Sequence, residues 1–549
     1  MRRALLTIAL AAALVPVPRA QSTPGSQPKL VVLIVVDQMR ADYVTRFRGE
    51  WSSGLRRLLT RGAWFSNAAY PYMLTFTCAG HATIATGALP HRHGIMQNTW
   101  FDRQAGKIVR CSEDDRPKSV LYGGTGGEGD SAARLLVPTF ADRMRTERKA
   151  RVVTLSLKAR SAIMMAGQAG DAVTWRNESL DGWQTSSAYG DSVPAVKAFV
   201  DANPVEADYG KPWSRSLPRA RYRYPDVLPG EMPPGGWTPI FPHVLTSRTG
   251  KPDAEFYTQW ERSPYGDAYL GRLAAALATS LELGRRDTTD VLAVSFSSPD
   301  LVGHAFGPLS EEVQDMYARL DRTIGTLLDR LDRLVGNDQY VVALTADHGV
   351  SGVPEQLKLD GKDAGKLNIR ALGDVVDRAA TEALGPGKYV ANGNYNDVYF
   401  APGMYEMLKA NPGAFNAVLA ELSRQPSVAR VFRREELADP SASASSDVAL
   451  RAAALSYLPD RSGDLIAAMK PGWMFTGLAT THGSATEDDQ RVPIIFYGRG
   501  IKPGESRDAV TPADVAPTLA VLSGITLPQA EGQPLRTALA GAASTSTRP

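Results

Sequence analysis

The chain has 549 residues, 43% hydrophobic and 22% charged, with 49 Gly and 37 Pro. That is the composition of a globular protein, and it excludes collagen-like, coiled-coil and disordered chains. Lys and Arg number 61 against 58 Asp and Glu, so charge gives no argument for a nucleic-acid partner or a membrane surface.

The chain opens with Arg2-Arg3, an apolar run from Ala4 to Val15, and Pro18-Arg19-Ala20. A basic start, a short apolar stretch and a small residue at its end are the anatomy of a secretory signal. Residues 1–20 are therefore expected to be removed, leaving a formally neutral, periplasmic or secreted protein. The run is too short to span a bilayer, and no later stretch reaches about 18 apolar residues, so no stable membrane insertion is expected. Two cysteines, Cys78 and Cys111, cannot build a thiolate zinc site. In an oxidising compartment they either pair as a disulfide or sit apart as small buried hydrophobes, and both readings stay open.

Several β-rich runs end in a polar residue. Leu30 to Val36 (LVVLIVV) runs into Asp37, and Val152 to Leu157 into Lys158 and Arg160. Asp290 to Phe296 leads through Ser-Ser-Pro to Asp300, and Tyr340 to Leu344 leads to Asp347-His348. A further buried strand, Val492 to Tyr497, follows Thr481-His482-Gly483-Ser484. Unbroken Val/Ile/Leu runs predict strands covered on both faces, hence a mostly parallel sheet. Helices fall between them. Ser310 caps a segment with Val313, Tyr317, Leu320, Ile324, Leu327, Leu331 and Leu334 on one face, and Thr511-Pro512-Ala513-Asp514 opens another before Val515. The alternation predicts an α/β, doubly wound, mostly parallel sheet with helices on both faces, with its site beyond the carboxyl ends of the strands. Two stretches break the pattern, near 175–260 (Pro-, Gly- and aromatic-rich over 204–245) and near 355–475. They read as insertions capping the active-site edge of one catalytic domain, 21–549.

The chain has seven His, and three of them have metal-ligand company. Asp300 and His304 lie four residues apart beyond one strand, Asp347 and His348 follow another, and His482 precedes the last. With Asp37 they form an N/O donor set of the kind that suits zinc, with manganese or iron also admissible.

What the metals would activate is indicated by Leu74 to Gly87 (LTFTCAGHATIATG) and Pro90 to Asn98 (PHRHGIMQN). With VVDQMRADY, SLKARS, SPDLVGH, TADHG and THGS, these segments resemble the alkaline phosphatase superfamily, specifically its phosphate-irrepressible bacterial alkaline phosphatases. The resemblance runs from Asp37 to about Leu522. It implies a two-zinc phosphomonoesterase whose nucleophile is Thr77, forming a covalent phosphothreonine, with Thr75 the other candidate. It places Asp37, Thr77, Asp347 and His348 around one zinc, and Asp300, His304 and His482 around the other.

The same resemblance gives Asn98, Lys158 and Arg160 the phosphate oxygens of small-molecule monoesters. Lys158 and Arg160 are expected on an extended segment, side chains to one side. His81, His91 and His93 are expected to order the nucleophile loop, and His243 to lie at the surface. The alternatives are a nucleotide pyrophosphatase/phosphodiesterase of the same superfamily and, from another class, a non-catalytic metal- or phosphate-binding protein. The Cys/Ser-x-Pro-x-Arg signature of sulfatases is absent.

Overall fold

The computed structural model describes residues 27–541; the expected leader lies outside them. Ten strands form the main sheet: β1 (Leu30–Val36), β2 (Ala63–Phe65), β3 (Ser119–Leu121), β4 (Val152–Ser156), β5 (Ala172–Arg176), β6 (Trp183–Ser186), β7 (Asp290–Phe296), β8 (Tyr340–Thr345), β9 (Ile494–Gly498) and β10 (Gly504–Ser506). Their order is β10-β2-β9-β8-β1-β7-β4-β5-β6-β3. The central five, β8-β1-β7-β4-β5, are parallel.

Alternate residues of these strands feed two cores, one on each face. Val32, Ile34, Leu292, Val294 and Val342 point into one, Val31, Val35, Val291 and Val341 into the other. Each such side chain taken from water stabilises the fold by roughly 1.5–3 kcal/mol before conformational entropy is charged against it. Helices cover both faces, as the unbroken apolar runs require. On the first face lie α3 (Pro264–Ser280) and α5 (Glu311–Val335), named here with α1 (Thr77–Thr86), α2 (Ala159–Ala166) and α4 (Ser298–Phe306). The Ser310 hydroxyl caps α5 by accepting the Val313 N–H, and Gly336 ends it at φ 105°.

Two strands run against the rest: β6, antiparallel to its neighbours β5 and β3, and β9. β9 is antiparallel to both β8 and β2. Its residues are buried alternately in the same two cores, so its apolar run carries no information about direction. The reversal matters for the site: an antiparallel strand brings its amino end to the edge where the parallel strands end. His482, upstream of β9, thereby joins Asp37, Asp300 and Asp347 downstream of β1, β7 and β8.

The 204–245 run folds its rings onto the amino end of α5. Trp213 Nε1 and Tyr222 Oη both donate to Asp315. His243 is buried there among Trp213, Trp237, Phe241 and Phe306, with Nε2 3.0 Å from Glu312 Oε1. The surface position expected for His243 is corrected: its partner sits on a distant helix, which local sequence does not reveal. Residues 365–475 add a four-stranded antiparallel sheet (Val390–Asn394, Asp397–Phe400, Leu465–Met469, Val428–Arg433) with a core of its own around Leu372, Val376, Val418 and Leu422. Among the described residues no helix is long and apolar enough to cross a membrane.

Candidate active site

Parallel register puts the polar residues at one edge. Val36 pairs with Phe296 and Val35 with Thr345, so Asp37, the Ser297–Asp300 turn and Asp347-His348 emerge side by side. α1 lies against this edge because Gly80 allows it: a Cβ there would stand 2.1 Å from the Asp347 carbonyl oxygen. Thr77 opens α1 and is buried, with Oγ1 3.3 Å from His348 Nε2. His348 Nε2 is also 3.3 Å from Asp347 Oδ2 and 3.5 Å from Asp37 Oδ1. Those two carboxylate oxygens are buried with no hydrogen-bond partner. Beside this group, Asp300 Oδ1 is 3.1 Å from His304 Nε2 and 3.7 Å from His482 Nε2. The His348 and His482 rings stack at 3.4 Å, so the two groups share a wall.

The separations can be tested against a metal. Donors about 2.0–2.1 Å from a tetrahedral zinc stand about 3.3–3.4 Å from one another. The spacings around His348 Nε2 match that edge length, and those around Asp300 Oδ1 bracket it. Asp300 also falls within reach of the first group, beside Asp37 and His348, so it stands between the two.

The imidazoles are set for the task. His304, His348 and His482 each face a backbone carbonyl with Nδ1, those of Thr480, Gly349 and Thr75 at 2.8, 2.9 and 2.7 Å. A carbonyl only accepts, so Nδ1 carries a proton, and a neutral ring then keeps its Nε2 lone pair for a cation. Burial lowers the pKa of both His348 and His482 and keeps them neutral. Burial raises Asp37 well above the usual carboxylate range, with Asp300 and Asp347 adding to the effect. Asp300 is held well below that range: burial opposes this, but His304 and Lys158 outweigh it. Three buried carboxylates facing one ammonium make a site short of positive charge.

That ammonium is Lys158. Its Nζ donates to Asp37 Oδ2 at 2.6 Å and to Asp300 Oδ2 at 2.5 Å, the oxygens turned away from the imidazoles. The extended segment expected around Lys158 and Arg160 is corrected: Lys158 is the extended residue before α2, and Arg160 lies in that helix's first turn. The two side chains therefore diverge. Arg160 lines a cavity of about 250 Å³ with Asn98, Cys111 and Trp175, and its Nε has no partner. Asn98 Oδ1 accepts the Cys78 N–H at 2.9 Å, which leaves the amide NH₂ to donate. Thr75 is turned away, its hydroxyl donating to the Ser484 carbonyl.

Cys78 and Cys111 form a disulfide. His81 joins the Thr77 carbonyl to Ser295 and lies 3.3 Å from Asp347; His93 bonds Thr83, and His91 pairs with Glu531. Two further buried acids support the site. Asp267, pushed up to about 7 by burial, accepts the N–H groups of Ser297 and Ser298 and so caps α4 from α3. Asp489 accepts from Ser351 and from the Ser484 backbone and hydroxyl, clamping the loops of His348 and His482 together. Neither has a local signal: one looks like a helix-surface acid, the other like part of an exposed Glu-Asp-Asp run.

A parallel sheet with carboxylates and imidazoles around a hydroxyl at its carboxyl edge has the architecture of the alkaline phosphatase superfamily. The sequence model for Type I phosphodiesterase / nucleotide pyrophosphatase matches residues 31–490, and the chain belongs to that family. It is 33% identical to alkaline phosphatase PhoK of Sphingomonas sp over 93% of this chain and 91% of that one. It is 31% identical to alkaline phosphatase PafA of Elizabethkingia meningoseptica over 93% and 94%. A crystal structure of PafA superposes with a TM-score of 0.86 at 30% identity, covering 95% of this chain and all of the other. Murine ectonucleotide pyrophosphatase / phosphodiesterase 5, 13% identical with a TM-score of 0.51, shares the fold.

Proposed function

We propose that this chain is an exported alkaline phosphatase, acting on small phosphate monoesters with two zinc ions and a phosphothreonine at Thr77. The observation that carries the reading is the seat of Thr77 Oγ1, 3.3 Å from His348 Nε2 and in the same pocket as the unpartnered oxygens of Asp37 and Asp347. Asp37, Asp347 and His348 would hold one ion and Asp300, His304 and His482 the other. Zinc bound there supplies Lewis-acid stabilisation of phosphoryl charge and lowers the pKa of a coordinated hydroxyl.

The chain's own groups do the rest. Thr77 oxygen bonds to phosphorus as the ester oxygen leaves with the bonding pair and takes up a proton; water then displaces Thr77 and inorganic phosphate departs. Thr77 is the first residue of α1, where the helix dipole favours negative charge. The Asn98 amide and the unpartnered Arg160 Nε are donors for non-bridging oxygens, which a monoester dianion offers with more charge than a diester. Lys158 contributes by fixing Asp37 and Asp300. The relatives named alkaline phosphatase support this reading. So does a solved PafA variant in which a Thr, an Asn, a Lys and an Arg are replaced together, at spacings that match Thr77 to Asn98 and Lys158 to Arg160.

The test compares turnover of an aryl phosphate monoester and the matching diester, with zinc present and after chelation. We expect close to two zinc ions per chain, a faster monoester and loss of both rates on chelation. Thr77→Ala should abolish hydrolysis while keeping zinc, and Thr77→Ser should retain part of the rate. Faster diester turnover would transfer the chain to the nucleotide pyrophosphatase/phosphodiesterase activity that its family's name carries. An active Thr77→Ala would remove the nucleophile.

A further inference from the structure

Gln38 follows Asp37 and has a φ of +68°, in the left-handed region that residues other than Gly, Asn and Asp seldom enter. Strain of this kind persists where the surroundings impose it, and it clusters at functional sites. Its backbone N–H donates to Asp347 Oδ1 at 3.2 Å, and its side-chain Nε2 donates to Asp300 Oδ1 at 2.6 Å. The two acceptors belong to the two donor groups. Asp300 Oδ1 is also the oxygen that faces His304 and His482. A carboxylate oxygen has two lone-pair sites, so the Gln38 amide can fix that oxygen on one side and leave the other to a cation.

The amide has a fitted seat. A Cβ on Gly303, between Asp300 and His304, would stand 1.8 Å from Gln38 Oε1, with Gln38 Cδ and Nε2 next at 3.0 and 3.7 Å. Glycine at 303 thus makes room for the Gln38 side chain. A glycine at position 38 would take the left-handed turn without strain but would have no amide to give Asp300.

We infer that Gln38 is a positioning residue that couples the two metal groups, held in a strained turn so that one residue reaches Asp347 and Asp300 together, with Gly303 as its seat. The inference rests on the two-zinc reading above. Zinc-loaded wild type, Gln38→Gly, Gly303→Ala and the double variant are dialysed against graded chelator and their retained zinc is measured; the metal-free forms are then melted. Gln38→Gly keeps the N–H to Asp347, and relief of the left-handed strain offsets the freedom glycine adds to the unfolded chain. Its metal-free form should melt within about 2 °C of wild type.

The ion held by Asp300, His304 and His482 should meanwhile bind roughly 10-fold or more weakly, as losses of ligand-orienting partners typically do, and the other ion should weaken less. Gly303→Ala should displace the amide and give the same loss. In the double variant the clash has no partner, so the loss should equal that of Gln38→Gly alone. Wild-type zinc retention by Gln38→Gly overturns the inference, as do additive losses in the double variant or a loss that tracks a lowered melting temperature of the metal-free form. A wild type that retains no zinc would overturn the two-zinc reading itself, and that sample tells the two failures apart.

Discussion

Among the described residues Lys158 is the one ammonium set against Asp37 and Asp300, and it is 9% exposed. Burial would lower its pKa, but Asp300 and Asp37 raise it on balance, so it stays charged. Removing one partner of a buried ion pair leaves the other charge uncompensated and costs about 3–5 kcal/mol. Lys158→Ala should therefore destabilise the metal-free protein by an amount of that order. Zinc would neutralise the same carboxylates, so the loaded variant should lose much less. Denaturant unfolding of both forms checks this, and equal losses would mean that Lys158 acts through packing alone.

At this scale the grouping of the carboxylates and imidazoles was legible, because Asp37, Asp300, His304, Asp347 and His348 stand a few residues beyond apolar runs and His482 stands before one. The placement of Lys158 was not. The spacing of two would align its side chain with that of Arg160 on a strand, but a helix starting at Ala159 separates them. Gln38 was unreadable for a related reason: an isolated Gln after a strand gives no hint of a positive φ.

The element that presents Thr77 is tied to the element that presents Asn98. The disulfide joins Cys78, in the first turn of α1, to Cys111, just past the hairpin Thr99–Asp102/Lys107–Arg110. Both cysteines hold Asn98 through their backbones: the Cys78 N–H reaches its side-chain oxygen and the Cys111 N–H its carbonyl, each at 2.9 Å. The bridge therefore constrains the unfolded chain and fixes the distance between Thr77 and the Asn98 amide. For a separation of 33 residues the chain-entropy account gives about 3–4 kcal/mol.

Replacing both cysteines by Ala should cost stability of that order. It should also lower kcat/KM for a monoester more than for a diester, if Asn98 serves the extra negative oxygen as proposed. A stability loss with unchanged monoester preference would make the bridge a staple only. The sequence allowed this pair without choosing it, because the fold alone decides whether the two thiols meet.

At the scale of the whole molecule, the site edge is closed by residues more than 300 positions away in sequence. Met73, Leu74 and Phe76, just before Thr77, pack in one cluster with Phe432, Leu437 and Ile466 of the inserted sheet region. Phe76 touches both sides: its ring lies 5.2 Å from Tyr395 of the insertion and 5.9 Å from His482. The insertion's other core, around Val418 and Leu422, makes no part of that cluster.

Two truncations of similar size should thus have different consequences. Leu422→Ala should cost about 2–5 kcal/mol and Phe432→Ala about 3–5 kcal/mol. The cavity left by Phe432 opens in the cluster that holds Phe76, so that variant should also lose turnover and zinc retention at temperatures where both proteins remain folded. Leu422→Ala should keep near-normal kcat until it melts. Matched losses of kcat in the two variants would mean that the insertion supports the site only through global stability. A loss confined to Phe432→Ala would make it the base on which the Thr77 loop and the His482 ring rest.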